Sequence, residues 1–175
     1  FFYERHSPLV PWSSIAGSGP ADPGSNPGGA IFIKMEKTGK SKQGKLMHYS
    51  VGAIIKKDDK YLLIDRVKGP LGFAGVAGHI DENEKIEDSL KREVREECGL
   101  NVINFKLLFE EELSLEECSR GILTHYWYVY ECEVEGDIKI KEDEVKSINW
   151  FSAEEIKKLK LEKAWEHWFK KLGVF

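Results

Sequence analysis

The sequence predicts an α/β protein, an α/β/α sandwich built on a mixed β-sheet. Three observations carry that expectation. Short β-rich apolar runs recur along the chain. One charged amphipathic stretch of helical period interrupts them, with further helical stretches at the end. The chain has 175 residues, 41% of them hydrophobic, enough for a single domain with a real core.

The N-terminal segment differs in kind from the rest. Between Pro11 and Ala30, 13 of 20 residues are Gly, Pro or Ser, the composition of a linker, and the first methionine is Met35. Residues 1–34 are expected to be a linker-like or expression-derived extension, or a genuine flexible one, with the native domain spanning 35–175. From Tyr49 the pattern becomes regular. "HYSVGAIIK" and "KYLLIDR" form a hairpin around the turn "KKDDK". "GFAGVAGHI" is a short, glycine-interrupted strand or loop. A helix is expected at about Lys85–Cys98, because Ile86, Leu90 and Val94 recur at four-residue steps and Gly99 is a natural stop. "VINFKLLFE" is the next strand, followed by an acidic loop and the long strand "ILTHYWYVYECEV". "VKSINWF" is a last short strand. "SAEEIKKL" then opens with a serine cap and supplies a C-terminal helix, and "KAWEHWFKKL" adds another.

Composition narrows the partners. The net charge of −4 argues against a broad nucleic-acid-binding surface, and no apolar run approaches the roughly 18 residues of a membrane span. Three cysteines (Cys98, Cys118, Cys132) form an odd set without a C-x-x-C pair, so spacing suggests neither a disulfide framework nor a zinc site. A reducing cytoplasm is the default location.

The charges of the central helix are in an awkward place. Glu96 and Glu97 occupy its last turn, where the negative end of the helix dipole disfavours each acid by about 0.3–1 kcal/mol. Glu93 lies three and four residues before them on the same face, adding about 0.2–0.5 kcal/mol of repulsion per neighbouring pair. A hard divalent cation among the carboxylates reverses that sign, because Mg²⁺ takes carboxylate oxygens, water and phosphate oxygens. The bland alternative, a solvated face with i, i+4 ion pairs such as Asp88–Arg92 and Arg92–Glu96, leaves the wider spacing unexplained.

That spacing runs from Gly78: "GHIDENEKIEDSLKREVREECGL", or G-x5-E-x7-R-E-U-x-E-E-x-G-U, with Val94 and Leu100 at the aliphatic positions U. Seven fixed residues at roughly 5–7% abundance match by chance on the order of once in 10⁹ starting points. The segment resembles the Nudix box at every defined position, and the "NWFSAEEI" stretch also resembles Nudix domains. The resemblance implies a loop–helix–loop metal site on an α/β/α sandwich and hydrolysis of a diphosphate linkage. It implies Glu93, Glu96 and Glu97 as metal ligands with the Gly78 carbonyl, and Glu84 with Arg92 as the pair that supports the box. The implied cofactor is Mg²⁺, with Mn²⁺ as the alternative ion. Metal-activated water is the expected nucleophile. Glu93 is the first choice for the base that deprotonates it, with Glu142 or Glu144 as alternatives.

Expected substrate contacts are Arg66, Phe73 and His79. In "HYWYVY", Tyr126, Tyr128 and Tyr130 face one way and His125, Trp127 and Val129 the other, so one face can serve a base-stacking pocket or simply the core. Marks of particular Nudix branches are missing. No proline follows Pro70, where ADP-ribose-type members carry one beyond the box. Glu116, Glu117 and Cys118 stand where dinucleoside-polyphosphate types carry a tyrosine. "GVA" precedes the box glycine where many relatives have Pro-Gly, which bears on specificity rather than chemistry. The expected substrate is therefore a nucleoside diphosphate derivative or a (d)NTP. The expected partner is that small molecule, with no membrane and no nucleic acid, and a homodimer is compatible. The alternative function is a Nudix-fold nucleotide-binding or regulatory module without turnover. Such modules often lose box acids, and here all are present.

Overall fold

One long strand, β2 (Leu46–Lys57), organises the sheet. Its middle, Met47 to Ile55, is buried except for the half-buried Tyr49, as expected of a strand covered on both faces. This computed structural model describes residues 35–140 and 143–175, so the extension at 1–34 and Glu142 lie outside the described residues. On one side β2 pairs antiparallel with β1 (Thr38–Lys40) and then with β5 (Val76–His79), in the register Thr38↔His48 and Ser50↔His79. On its other side runs β7 (Thr124–Glu135), parallel to it from Met47↔Thr124 to Ile55↔Cys132. β6 (Asn101–Ser114) pairs antiparallel with β7. β3 (Lys60–Arg66) leaves the end of β2 and pairs antiparallel with β4 (Phe73–Ala74) and β8 (Val145–Ser152). The sheet is mixed, as the sequence predicts.

The turn between β2 and β3 holds Asp58 and Asp59 at φ 48° and 60°. Two left-handed residues in succession match the twist of a tight hairpin, and aspartate tolerates that conformation better than most side chains.

Helix α1 (Ile86–Cys98) covers one face of the sheet. It buries Leu90, Val94 and Cys98, and Glu97 with them. Gly99 ends it at φ 72°, donating its N–H to the Arg95 carbonyl at 3.0 Å. Helix α3 (Lys163–Lys171) covers the opposite face, where Trp165, Trp168 and Phe169 are all but fully buried. Each such side chain gains about 1.5–3 kcal/mol on leaving water. The Trp165 ring lies across the backbone at Gly75, where a Cβ would approach Trp165 Cη2 to 2.3 Å. Only glycine fits beneath it. This explains the break between β4 and β5 that appears in the sequence as a glycine interruption.

Two expectations need correction. The expected strand through Glu110 continues through Glu111 and Glu112, which belong to β6 and not to a loop; all three acids have cross-element partners. Glu110 accepts from the Tyr126 hydroxyl at 2.9 Å, Glu111 pairs with His167 and Lys171 of α3, and Glu112 accepts from the Lys42 N–H at 3.0 Å. The helix begun by "SAEEIKKL", α2, is a single turn, Ala153–Ile156. Its capping box between Ser152 and Glu155 forms as expected. The chain then tightens into i→i−3 bonds from Lys158 and Leu159, and Leu161 bridges to Phe73. Strand β1 was not expected at all. Among the described residues no helix is long and apolar enough to cross a membrane.

Candidate active site

Arg92 ties the loop before α1 to the helix. Its Nε and Nη2 donate to the two oxygens of Glu84 at 2.8 and 2.9 Å, a bidentate pair. Nη2 also donates to the His79 carbonyl at 2.9 Å and to Ser89 Oγ at 3.1 Å. Glu84 in turn accepts from the Asp81 N–H at 3.1 Å, closing the turn that precedes the helix. The Arg92 hydrogen bond holds the Glu84 carboxyl below the usual range. The same guanidinium bonds Glu93 through Nη1 and lies 3.6 Å from Glu96 Oε2.

The three helix acids border a cleft of about 340 Å³ between α1, the loop after β3 and the 115–123 loop. Gly78 lies directly under Glu93. Glu97 is only 4% exposed. Its Oε2 accepts from the Ala77 N–H at 3.2 Å, and its Oε1 lies 3.8 Å from Arg66 Nη1. Burial pushes its carboxyl up to about 8, against the pull of Arg66, with Glu93 adding to the rise. At pH 7 this carboxyl is therefore mostly protonated, and a cation would have to displace that proton. Arg66, Lys68 and Arg120 also border the cleft, so its walls combine acids on the helix with bases on the facing loops.

A second, more apolar pocket opens beside the cleft and shares Arg66, Gly69, Ala77, Gly78, His79 and Ser119 with it. Leu113, Leu115, Leu123, Trp127 and Ala164 supply apolar wall. Glu162, 6% exposed, also lines it, and its Oε2 is buried without a hydrogen-bond partner. Burial lifts its carboxyl to about 7, Arg66 pulling against the rise. The strand register explains which residues meet here. Ser50 faces both His79 and Trp127, and His48 faces His125, so these side chains share one face of the sheet. His79 and His125 are both pushed down to about 4, by burial first and then by neighbouring imidazoles, so each ring is neutral at pH 7.

Most of the residues singled out in the sequence converge. Glu93, Glu96, Glu97, Gly78, His79, Arg66 and Glu144 all border the cleft, with Arg92 bracing it from behind. Phe73 does not. Its ring packs edge-on against Phe151, 5.4 Å between centroids, and borders neither space. Sequence reasoning missed Glu162, which reads as one more charge before a helix, and Glu36, which lies just before β1 and reaches His79 and Arg120. Nothing in their local patterns marks either residue.

Comparison with known proteins agrees with this architecture. The NUDIX domain model matches residues 46–172, and the chain belongs to the Nudix family. An ADP-ribose pyrophosphatase of Methanocaldococcus jannaschii is 30% identical over 112 residues; the match covers 63% of this chain and 64% of that protein's length. The crystal structure of a MutT NUDIX hydrolase from Burkholderia pseudomallei superposes with a TM-score of 0.62 at 23% identity, covering 70% of this chain and 95% of the other. The NUDIX domain of Shewanella oneidensis NrtR, in a cocrystal structure with ADP ribose, gives the same TM-score at 18% identity, covering 75% and 89%. At these identities the two structures speak for the fold alone.

Proposed function

We propose that the protein is a divalent-metal-dependent pyrophosphohydrolase that cleaves the phosphoanhydride of a nucleoside diphosphate derivative or a (d)NTP. The observation that carries this reading is the junction of the acid-lined cleft with the apolar pocket through Arg66 and Ala77–His79. A diphosphate in the cleft would place its nucleoside in the pocket.

The donor set fits a hard cation. Three carboxyl groups border one space, and Glu97 is buried against one N–H and the Arg66 guanidinium 3.8 Å away. Glu93, Glu96, Glu97 and the Gly78 carbonyl would hold Mg²⁺, for which Mn²⁺ can substitute. Such an ion, when bound, neutralises the diphosphate and acidifies a water molecule. Arg66, Lys68 and Arg120 offset phosphate charge from the facing wall. Arg92, saturated by Glu84, Glu93 and the His79 carbonyl, keeps loop and helix at a fixed separation. Glu93 is the proposed base, with Glu144 across the cleft as the alternative; either would contribute about 10²–10⁴-fold. Trp127 offers a stacking surface, and Glu162 an acceptor for a base N–H or a ribose hydroxyl.

Product analysis across ADP-ribose, dinucleoside polyphosphates and (d)NTPs, with Mg²⁺ or Mn²⁺, tests the proposal. The Methanocaldococcus relative puts ADP-ribose first on that panel. Binding of a nucleotide without product from any of them would instead establish the regulatory module.

A further inference from the structure

Outside the helix acids, one cluster of metal-ligating side chains has no chemical step in the proposed reaction, although His79, Cys118 and His125 line the apolar pocket. His48, His79, His125 and Cys118 each bring one ligand atom to a common point, all within 4.8 Å of one another. They come from β2, β5, β7 and the loop between β6 and β7. From this geometry we propose that the four residues form a second metal site, for a borderline-soft divalent ion of the zinc type, that fastens the 115–123 loop to the sheet beside the cleft.

The distances favour a metal over a network of hydrogen bonds. Zinc lies about 2.0–2.1 Å from imidazole nitrogen and about 2.3 Å from thiolate sulfur. Tetrahedral edges are then about 3.3–3.4 Å for N···N and about 3.5–3.6 Å for N···S. His79 Nε2 and His125 Nε2 are 3.4 Å apart, and Cys118 Sγ is 3.7 Å from His48 Nδ1. As a hydrogen bond, the 3.4 Å contact is long. As an edge of a ligand tetrahedron, it has the right length. His48 and His125 are buried, so the imidazoles are fixed by packing and not by solvent.

The surroundings match those of a metal-bound histidine. Glu36 Oε1 lies 3.3 Å from Nδ1 of His79, the nitrogen opposite the one aimed at His125. A carboxylate in that position orients the ring and raises its basicity. The His125 ring is held by a hydrogen bond to the Leu123 backbone. Glu36 is itself anchored by Arg120 at 2.9 Å. A thiolate with three neutral imidazoles leaves a divalent ion with one positive charge, and Glu36, shared with Arg120, is the carboxylate nearest to it. The thiol–imidazole donor set excludes Mg²⁺ on softness and separates this site from the carboxylates of α1.

Cys118 is well placed to act as the loop's anchor. Its N–H donates to the Ile122 carbonyl at 3.0 Å, and its carbonyl accepts from the Gly121 N–H at 2.8 Å, closing a tight turn around the thiol. Leu115, Glu116, Ser119 and Leu123 of the same loop line the apolar pocket. Metal uptake would therefore set the shape of that wall. It also gives His79 a role other than direct contact with phosphate.

Chelator-stripped full-length protein titrated with Co²⁺ and Zn²⁺ tests the proposal. Beyond any Co²⁺ taken up by the carboxylates of α1, one Co²⁺ per chain is expected at the thiol–imidazole site, with sulfur-to-cobalt charge-transfer absorption, tetrahedral visible bands and release of the thiol proton. Zn²⁺ should displace it. Glu96→Gln should leave these bands intact, so failure of the proposed hydrolase reading and failure of this one are told apart. Cys118→Ser and His125→Gln should each weaken binding by about tenfold or more. A measurement on the unmodified chain covers variants that fail to fold. Cys98 and Cys132 are buried, so Cys118 is the thiol open to alkylation, and Zn²⁺ but not Mg²⁺ should slow that reaction. Absence of sulfur-to-cobalt absorption, or alkylation unchanged by Zn²⁺, would overturn the assignment.

Discussion

The carboxylate of Glu93 rests on the Cα of Gly78: a Cβ at that glycine would stand 2.0 Å from Glu93 Cδ. Any side chain at position 78 must displace the acid. Gly78→Ala is expected to swing Glu93 out of the cleft and to lower metal-dependent turnover by about 10²-fold or more. The obstacle is the end of a flexible side chain, so the fold should survive, as circular dichroism and the melting temperature would show. Turnover within a few-fold of the parent would remove Glu93 from the reaction.

Glu97 tests the metal assignment from the stability side. Burial keeps its carboxyl mostly protonated at pH 7 until a cation takes the proton's place. Glu97→Gln should melt no lower than the parent without divalent ions, yet lose the stabilisation that Mg²⁺ confers through mass action. Turnover should fall by at least about 10²-fold. Thermal melts with and without Mg²⁺ decide the matter: an equal Mg²⁺-induced rise in both proteins counts against Glu97 as a ligand.

Arg92 distributes its donors over Glu84, Glu93, Ser89 and the His79 carbonyl, a pattern that needs a planar fork. Lysine keeps the charge but not the geometry. Arg92→Lys is expected to cost about 1–3 kcal/mol in denaturant unfolding, because Glu84 and a backbone carbonyl lose a partner in a half-buried place. An unchanged denaturation midpoint would show that the clamp is dispensable.

Glu162 gives a pH signature. Its carboxyl rises from 4.5 to about 7 on folding, so the native state holds its proton more tightly than the unfolded chain does. The resulting stability is fully present below pH 4.5 and is lost as pH rises through 7, on the order of 3 kcal/mol in all. Glu162→Gln should flatten that part of the stability–pH curve and make the protein more stable than the parent at pH 8. Its effect on the reaction should fall on KM more than on kcat. Parallel curves for parent and variant from pH 5 to 8 would contradict the burial argument.

The sequence revealed chemistry where the ligands share one helix and one loop. Glu93, Glu96 and Glu97 are legible because helical geometry alone brings them together, and Gly78, Glu84 and Arg92 because a fixed spacing joins loop to helix. The hairpin, α1 and β7 were equally clear, since period and turn chemistry are local properties. The four-residue cluster was not. His48, His79, Cys118 and His125 stand far apart in the chain and meet only through the pairing of β2 with β5 and β7. An odd cysteine count without C-x-x-C argues against a zinc site only when ligands come in local pairs. Glu111 was obscured for a related reason: its partners His167 and Lys171 belong to the last helix.

Gly78 and His79 are neighbours on β5 that present opposite faces of the sheet, Gly78 under the helix acids and the His79 ring toward the other imidazoles. Sliding this four-residue strand by a single position along β2 would exchange the two. The imidazole would then strike Glu93, and the glycine would leave a gap among the histidines. Length is therefore the most tightly held property of the stretch from Gly75 to Glu84. Adding or removing one residue there should be tolerated less well than any single replacement within it.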